Sequence, residues 1–303
     1  MNRRSFARLL AVLALIGAGW LVAAQDVRLP NAAASVKFAV IGDSGTGDRR
    51  QVEVADQMLR FHGKFPFDRV IMLGDNIYGA QGGQNFVTKF AQPYKGLLDA
   101  GVAFYATLGN HDSLDNRQYP LFHMGGERYY THAMKNVRFF VLDTNELDPK
   151  QLAWFEGALK ASRDQWKICY FHHPLYSDGA RHGSDVNLRV ALEPLLVAYG
   201  VNVVFSGHDH IYERLTPQKG IQYFVAGSAG SLRRGDLRRS AMTAAGFDQD
   251  NVFMLVEILD VDLSFQAVSR TGQVVDSGAL HLPAPPRADH RPGRRSDSPR
   301  AAS

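Results

Sequence analysis

Short runs of β-branched and aromatic residues alternate along the chain with stretches whose apolar residues recur every three or four positions. Residues 36–41, 69–73 and 102–108 read as strands. Residues 49–61 carry Val52, Ala55, Met58 and Leu59 at helical spacing, and residues 84–98 read as a second helix. Residues 129–132 and 137–142 read as an antiparallel strand pair. A helix over 149–161 follows, with Pro149 in its first turn. A strand over 166–171, a helix over 186–199 and a strand over 201–205 complete the alternation. Beyond that point the helical spacing stops. Residues 221–226, 252–259, 263–268 and 273–280 all read as strands. Two-thirds α/β followed by a β-rich end predicts two sheets packed together with helices outside. No internal repeat is visible.

Composition changes this picture little: 45% hydrophobic and 21% charged residues in 303 describe a globular chain. They exclude a disordered, collagen-like or multispanning membrane protein. Charge matters more. The net +4 suggests a polyanion partner until it is located. Residues 1–24 carry +3 from Arg3, Arg4 and Arg8, and residues 284–303 carry another +3, so the remainder is −2. No nucleic-acid groove is indicated in the folded part. Cys169 is the only cysteine, which excludes an intrachain disulfide and a thiolate zinc cluster.

The two ends differ from the body. A basic start, an uncharged apolar run over 9–24 and the small residues Ala23 and Ala24 compose an export signal over 1–24. Arg3-Arg4-Ser5-Phe6 resembles a twin-arginine signal. The expected location is periplasmic or extracellular. No stable membrane association is expected unless that segment stays uncleaved. Residues 282–303, rich in Pro, Arg, Ala and Ser, read as a disordered basic tail. The domain proper is placed at 27–281.

The chemistry sits where strands end. The first three run into Gly42-Asp43-Ser44-Gly45, Gly74-Asp75-Asn76-Ile77-Tyr78 and Gly109-Asn110-His111-Asp112. The strands over 166–171 and 201–205 run into His172-His173-Pro174 and Ser206-Gly207-His208-Asp209-His210. In α/β sheets the carboxyl ends of strands line one edge, where ligands bind. Carboxylates, an amide oxygen and imidazoles without thiolates suit Fe, Zn and Mn, and a carboxylate between two cations can bridge them. Asp112 and Asp209, adjacent to these residues, are placed to orient histidines or to stand as plain surface carboxylates.

These five blocks, in this order, resemble the calcineurin-like metallophosphatases and specifically the purple acid phosphatases of the small, mammalian-like and bacterial type. The resemblance spans Gly42 to His210, and Tyr78 is the residue that separates this branch from related phosphodiesterases. It implies a four-layer α/β/β/α sandwich of two mixed sheets and a dinuclear site of Fe(III) plus a divalent ion (Fe, Zn or Mn). Asp43, Tyr78 and His210 would hold the ferric ion, Asp75 would bridge, and Asn110, His172 and His208 would hold the divalent ion. His173 matches a variable position and is not counted. His111 and His182 resemble the family's substrate-contacting and proton-donating histidines. The implied activity is that of an exported acid phosphatase, hydrolysing small phosphate monoesters by in-line attack of a metal-bound hydroxide.

Three alternatives compete. One is a metallophosphodiesterase of the same superfamily. The second is an SGNH-type serine esterase using Ser44 in Gly42-Asp43-Ser44. It also requires Gly-x-Asn-Asp in the middle, which Gly109-Asn110-His111-Asp112 fits poorly, and a late Asp-x-x-His that the body lacks. The third is a non-catalytic phosphate-binding protein, although no ligand position is visibly substituted.

Overall fold

A computed structural model describes residues 27–283, so the segment 1–24 read as an export signal and nearly all of the stretch 282–303 read as a tail lie outside the described residues. The first half contributes β1 (Val36–Ile41), α1 (Arg49–His62), β2 (Arg69–Met72), α2 (Gly83–Phe86), α3 (Lys95–Asp99), β3 (Ala103–Ala106), β4 (Tyr130–Met134) and β5 (Val137–Val141). Then come α4 (Pro149–Ala161), β6 (Trp166–Tyr170), α5 (Val186–Ala198), β7 (Val203–Ser206), β8 (Tyr212–Leu215) and β9 (Gln222–Ala226). The chain closes with β10 (Thr243–Phe247), β11 (Val252–Leu259), β12 (Asp262–Ser269) and β13 (Val274–His281).

Two mixed sheets result, one of six strands in the order β13-β12-β11-β1-β2-β3 and one of seven in the order β10-β8-β9-β7-β6-β5-β4. Strand alternation decides what each face meets. Along β1, Phe38 and Val40 point into the core between the sheets, while Ala39 and Ile41 face the outer core under α1. Phe38 meets Phe139 and Phe205 of the other sheet edge to face, at 5.2 and 6.3 Å between ring centroids. On the far side Phe155 of α4 and Leu192 and Leu196 of α5 cover the second sheet. The layers are therefore α/β/β/α.

Two local departures from the sequence pattern have physical causes. The helix expected over 84–98 breaks into α2, a π-turn over Val87–Ala91 and α3. Pro93 lacks an N–H and crowds the preceding turn, and the helix breaks beside it. Strand β8 escapes the pattern because Glu213 and Arg214 interrupt its apolar run, and β10 because its Thr-Ala-Ala-Gly-Phe sequence has a single large apolar residue. Glu213 is buried, and accepts hydrogen bonds from the Asp178 N–H at 2.9 Å and the Thr243 hydroxyl at 2.7 Å.

Candidate metal centre

Strands β1, β2 and β3 are parallel neighbours in one sheet, and β6 and β7 are parallel neighbours in the other. Their carboxyl ends deliver Asp43, Asp75, Asn110, His172 and the pair His208 and His210 to one edge. The turns are tight. Asp43, Asp75 and His208 adopt left-handed backbone at φ of 54°, 51° and 70°. Such geometry costs a non-glycine residue about 1–3 kcal/mol and clusters at functional sites. Cross-loop hydrogen bonds hold it: the His208 N–H donates to Asp43 Oδ2 and the His111 N–H to Asp75 Oδ1, both at 2.9 Å.

The side chains fall into two groups. In one, Asp43 Oδ1 lies 3.3 Å from His210 Nε2, and the Tyr78 hydroxyl lies 3.3 Å from Asp43 Oδ1 and 3.1 Å from His210 Nε2. In the other, His172 Nε2 lies 3.0 Å from Asn110 Oδ1 and 3.2 Å from His208 Nδ1. Asp75 belongs to both: its carboxylate clusters with Asp43 and His210, and its Oδ1 stands 3.5 Å from His172 Nε2. Asp43, Asp75 and His172 are buried, while Tyr78, His208 and His210 are half-buried and Asn110 opens to solvent. All seven residues expected as ligands therefore meet.

The electrostatics fit cations. Burial, together with the neighbouring Asp75 carboxylate, pushes Asp43 well above the usual carboxylate range. Burial lowers His172, and burial plus the surrounding imidazoles brings His208 down to about 2. Burial and the nearby Arg233 guanidinium bring His210 to about 4. These rings are kept neutral, the form that ligates metal. The His172 ring is oriented by Nδ1, which lies 2.9 Å from the Leu73 carbonyl. Such an outer contact fixes the ring of a metal-ligating histidine and leaves Nε2 for the ion. Two crowded buried carboxylates, neutral imidazoles, a phenol and an amide oxygen are a donor set that a pair of hard or borderline cations would satisfy.

The remaining expected residues are nearby. His111 is exposed, with its ring 4.9 Å from that of Tyr78. His182 is exposed, with its ring 4.1 Å from that of His208. His173, left out of the ligand set, joins His172 and His208 in a compact triad and has Nδ1 2.9 Å from the Thr144 hydroxyl. Asp209 is buried and Asp112 half-buried, and neither accepts a hydrogen bond from a histidine ring. Asp112 accepts from the N–H groups of Gly109, Asn76 and Ile77, joining the second and third loops. Asp209 accepts from the Ser177 hydroxyl at 2.5 Å and the Gly183 N–H at 3.1 Å, tethering the loop that carries His182. Ser44 is 1% exposed beneath this layer, which leaves a serine nucleophile no route to substrate.

Sequence reasoning missed the loop after β9. Its Ser231 N–H donates to the Asp43 carbonyl at 2.9 Å, and its Arg233 N–H to the His210 carbonyl at 3.0 Å. The signal was there: β9 runs parallel to β7, so a sixth strand ends at the same edge.

A four-layer sandwich with Asp, Asn, Tyr and His gathered at these strand ends defines a metallophosphoesterase. Residues 36–212 match the profile of the calcineurin-like phosphoesterases, and the chain belongs to that family. It is 29% identical over 241 residues to purple acid phosphatase 17 of Arabidopsis thaliana, covering 67% of this chain and 71% of that protein. It is 25% identical over 292 residues to rat (Rattus norvegicus) tartrate-resistant acid phosphatase type 5, covering 80% and 89%. Among solved structures, yellow lupin (Lupinus luteus) purple acid phosphatase PPD1 superposes with a TM-score of 0.69 at 18% identity, covering 84% of this chain and 55% of that one. GAP50, described as the anchor in the inner membrane complex of Plasmodium, superposes at 0.74 with 20% identity, covering 82% and 89%. These two share the fold. The family and its acid phosphatase relatives imply a dinuclear metal centre.

Proposed function

We propose that the protein is a dinuclear-metal acid phosphatase that hydrolyses small phosphate monoesters. Fe(III) is assigned to Asp43, Tyr78 and His210, a divalent Fe, Zn or Mn ion to Asn110, His172 and His208, and the bridge to Asp75. The observation that carries this reading is the Tyr78 hydroxyl, within 3.3 Å of Asp43 Oδ1 and 3.1 Å of His210 Nε2. A phenol so placed is a ligand for a ferric ion.

When bound, the metal pair supplies a hydroxide nucleophile and neutralises phosphate oxygens. The chain's own residues supply the rest. Asp43, Asp75, His172 and His208 set the two subsites at fixed separation on strand ends. His111, at the mouth over Tyr78, and His182, over His208, present imidazoles where a leaving alkoxide takes its proton. Such proton delivery contributes typically about 10²–10⁴ in rate. The buried Ser44 offers no nucleophile, so no phosphoenzyme is part of this scheme. Export to the periplasm or exterior belongs to the same reading and is supported by the basic and apolar composition of residues 1–24.

The test is metal analysis of the purified protein with its visible spectrum and turnover of an aryl phosphate at mildly acidic pH. A pink to purple, iron-containing, active protein that Tyr78→Phe bleaches is expected. A colourless, iron-free, active protein would place it with the phosphodiesterases of the superfamily. A metal-loaded protein without turnover would leave only phosphate binding.

A further inference from the structure

Tyr78 leads directly into a glycine-rich stretch, Gly79-Ala80-Gln81-Gly82-Gly83. Gly79 and Gly82 take left-handed backbone at φ of 72° and 150°, and a Cβ added at Gly82 or Gly83 would meet nothing within 4 Å. The side chain in the middle ties this open stretch down. Half-buried Gln81 aims Nε2 at three carbonyls, those of Ile77 at 2.7 Å, Gly79 at 2.9 Å and His111 at 3.0 Å. The amide cannot be turned round, because an oxygen in place of Nε2 would face three acceptors. Its Oε1 accepts from Asn116 Nδ2 at 2.8 Å, and that same nitrogen donates to Asp112 Oδ1 at 3.1 Å.

Two of those carbonyls flank Tyr78, and the third belongs to His111, whose ring stands 4.9 Å from the Tyr78 ring. One amide therefore holds the peptides on both sides of the phenol and the peptide of the imidazole. The His111 backbone is held at its other end as well, where its N–H donates to Asp75 Oδ1 at 2.9 Å. Its exposed ring makes no hydrogen bond among the described residues. The ring is placed by its clamped backbone and by the Tyr78 face, and Gln81 secures both.

We propose that Gln81 is a positioning residue for phosphate ester hydrolysis: its amide sets the His111 imidazole against Tyr78, where a leaving alkoxide takes its proton. This rests on the phosphatase reading, in which His111 delivers that proton. An alkoxide needs the proton to depart, whereas 4-nitrophenolate, a weak base, departs without it. A displaced His111 therefore has a signature that a generally loosened loop does not share.

The experiment measures kcat and KM for glycerol 2-phosphate and 4-nitrophenyl phosphate on the metal-loaded parent, Gln81→Met, His111→Ala and the double variant. Methionine keeps the volume and removes the amide, and Gln81→Ala serves as a second variant should Gln81→Met fail to fold. Losing the amide should lower kcat on the glycerol ester by about tenfold or more, against less than about threefold on the nitrophenyl ester, with KM unchanged within about threefold. Because Gln81 acts through His111, the double variant should be no slower than His111→Ala. Parental rates, equal losses on both esters, or losses that multiply in the double variant would each overturn the proposal, leaving Gln81 as a brace of its own loop and the phosphatase reading intact. If the parent turns over neither ester, the phosphatase reading falls instead. Nuclear magnetic resonance of the full chain loaded with zinc then judges the placement. The Tyr78 ring displaces the His111 ring signals in the parent, and their return to ordinary histidine positions in Gln81→Met supports the clamp. Unchanged signals overturn it.

Discussion

Asp75 is held in a space that only glycine leaves open. A Cβ added at Gly109 would stand 2.2 Å from both the Asp75 backbone nitrogen and its Oδ1. The backbone nitrogen cannot give way and the carboxylate is tied to the His111 N–H, so Gly109→Ala must move the carboxylate assigned to bridge the metals. Displacing a reacting group by about 1 Å can cost about 100-fold in rate. We therefore expect Gly109→Ala to fold, with a native-like circular dichroism spectrum, and to lose most turnover and metal. Parental turnover with a full metal complement would contradict the clash. Asp112 makes the complementary case. Its carboxylate collects three backbone N–H groups from two loops, and burial pushes it up to about 7. Asp112→Ala leaves those donors without acceptors, and should lower stability by about 3 kcal/mol in denaturant titration. Sequence placed Asp112 beside a ligand but not its task, because its partners Asn76 and Ile77 lie more than thirty positions away. That the seven residues expected as ligands would come together was legible. Each follows an apolar run within a few residues, and parallel strand ends must share an edge.

At the scale of elements, legibility followed the regularity of the hydrophobic pattern. Strands β1 and β11 and helix α4 stand where the pattern puts them, since each has an uninterrupted apolar face. The β8–β10 pair was invisible because a buried carboxyl, Glu213, stands in β8 and breaks the apolar pattern. Burial, offset in part by the Asp178 N–H and Thr243 hydroxyl, raises Glu213 to about 7. A carboxyl raised on folding contributes stability that is fully present below about pH 4 and is lost as pH rises through about 7. Glu213→Gln removes that loss. The variant should gain thermal stability relative to the parent between pH 5 and pH 8, read as a melting-temperature difference that widens in the variant's favour. A difference independent of pH would show that Glu213 has the same pKa in the folded and unfolded chain. The π-turn carries a second device. Lys89 within it donates to the Tyr78 carbonyl, and its own carbonyl accepts from Gln51 Nε2 at 2.6 Å. The break that Pro93 imposes on the expected helix thus aims a lysine at the loop bearing Tyr78. Lys89→Ala should shift or weaken the visible band of the iron-loaded protein. An unchanged band would show that Tyr78 is placed without it.

The whole sandwich matters because neither sheet builds the centre alone. Asp43, Asp75 and Asn110 come from the six-stranded sheet, and His172, His208 and His210 from the seven-stranded one. The inter-sheet core of Phe38, Phe139, Phe205 and their neighbours packs the two together without metal. Chelation should therefore lower the melting temperature, since ions that bind only the native state stabilise it, while leaving the far-ultraviolet spectrum unchanged. The same depth governs behaviour in acid. An exposed imidazole, with its ordinary pKa near 6.5, is mostly protonated at about pH 5 and would release its metal. Partial burial at the strand ends, with neighbouring imidazoles for His208 and Arg233 for His210, lowers His208 to about 2 and His210 to about 4, so protons compete poorly for these nitrogens. A histidine lowered on folding retains its stabilising neutral form above the unfolded value and loses it only as pH falls toward the native one. The loaded protein should accordingly keep both metals through dialysis at about pH 5 and shed them only below about pH 4. Metal analysis after stepwise dialysis checks this. Half of the metal lost by about pH 6 would mean that solvent reaches the imidazoles as freely as it reaches a surface histidine.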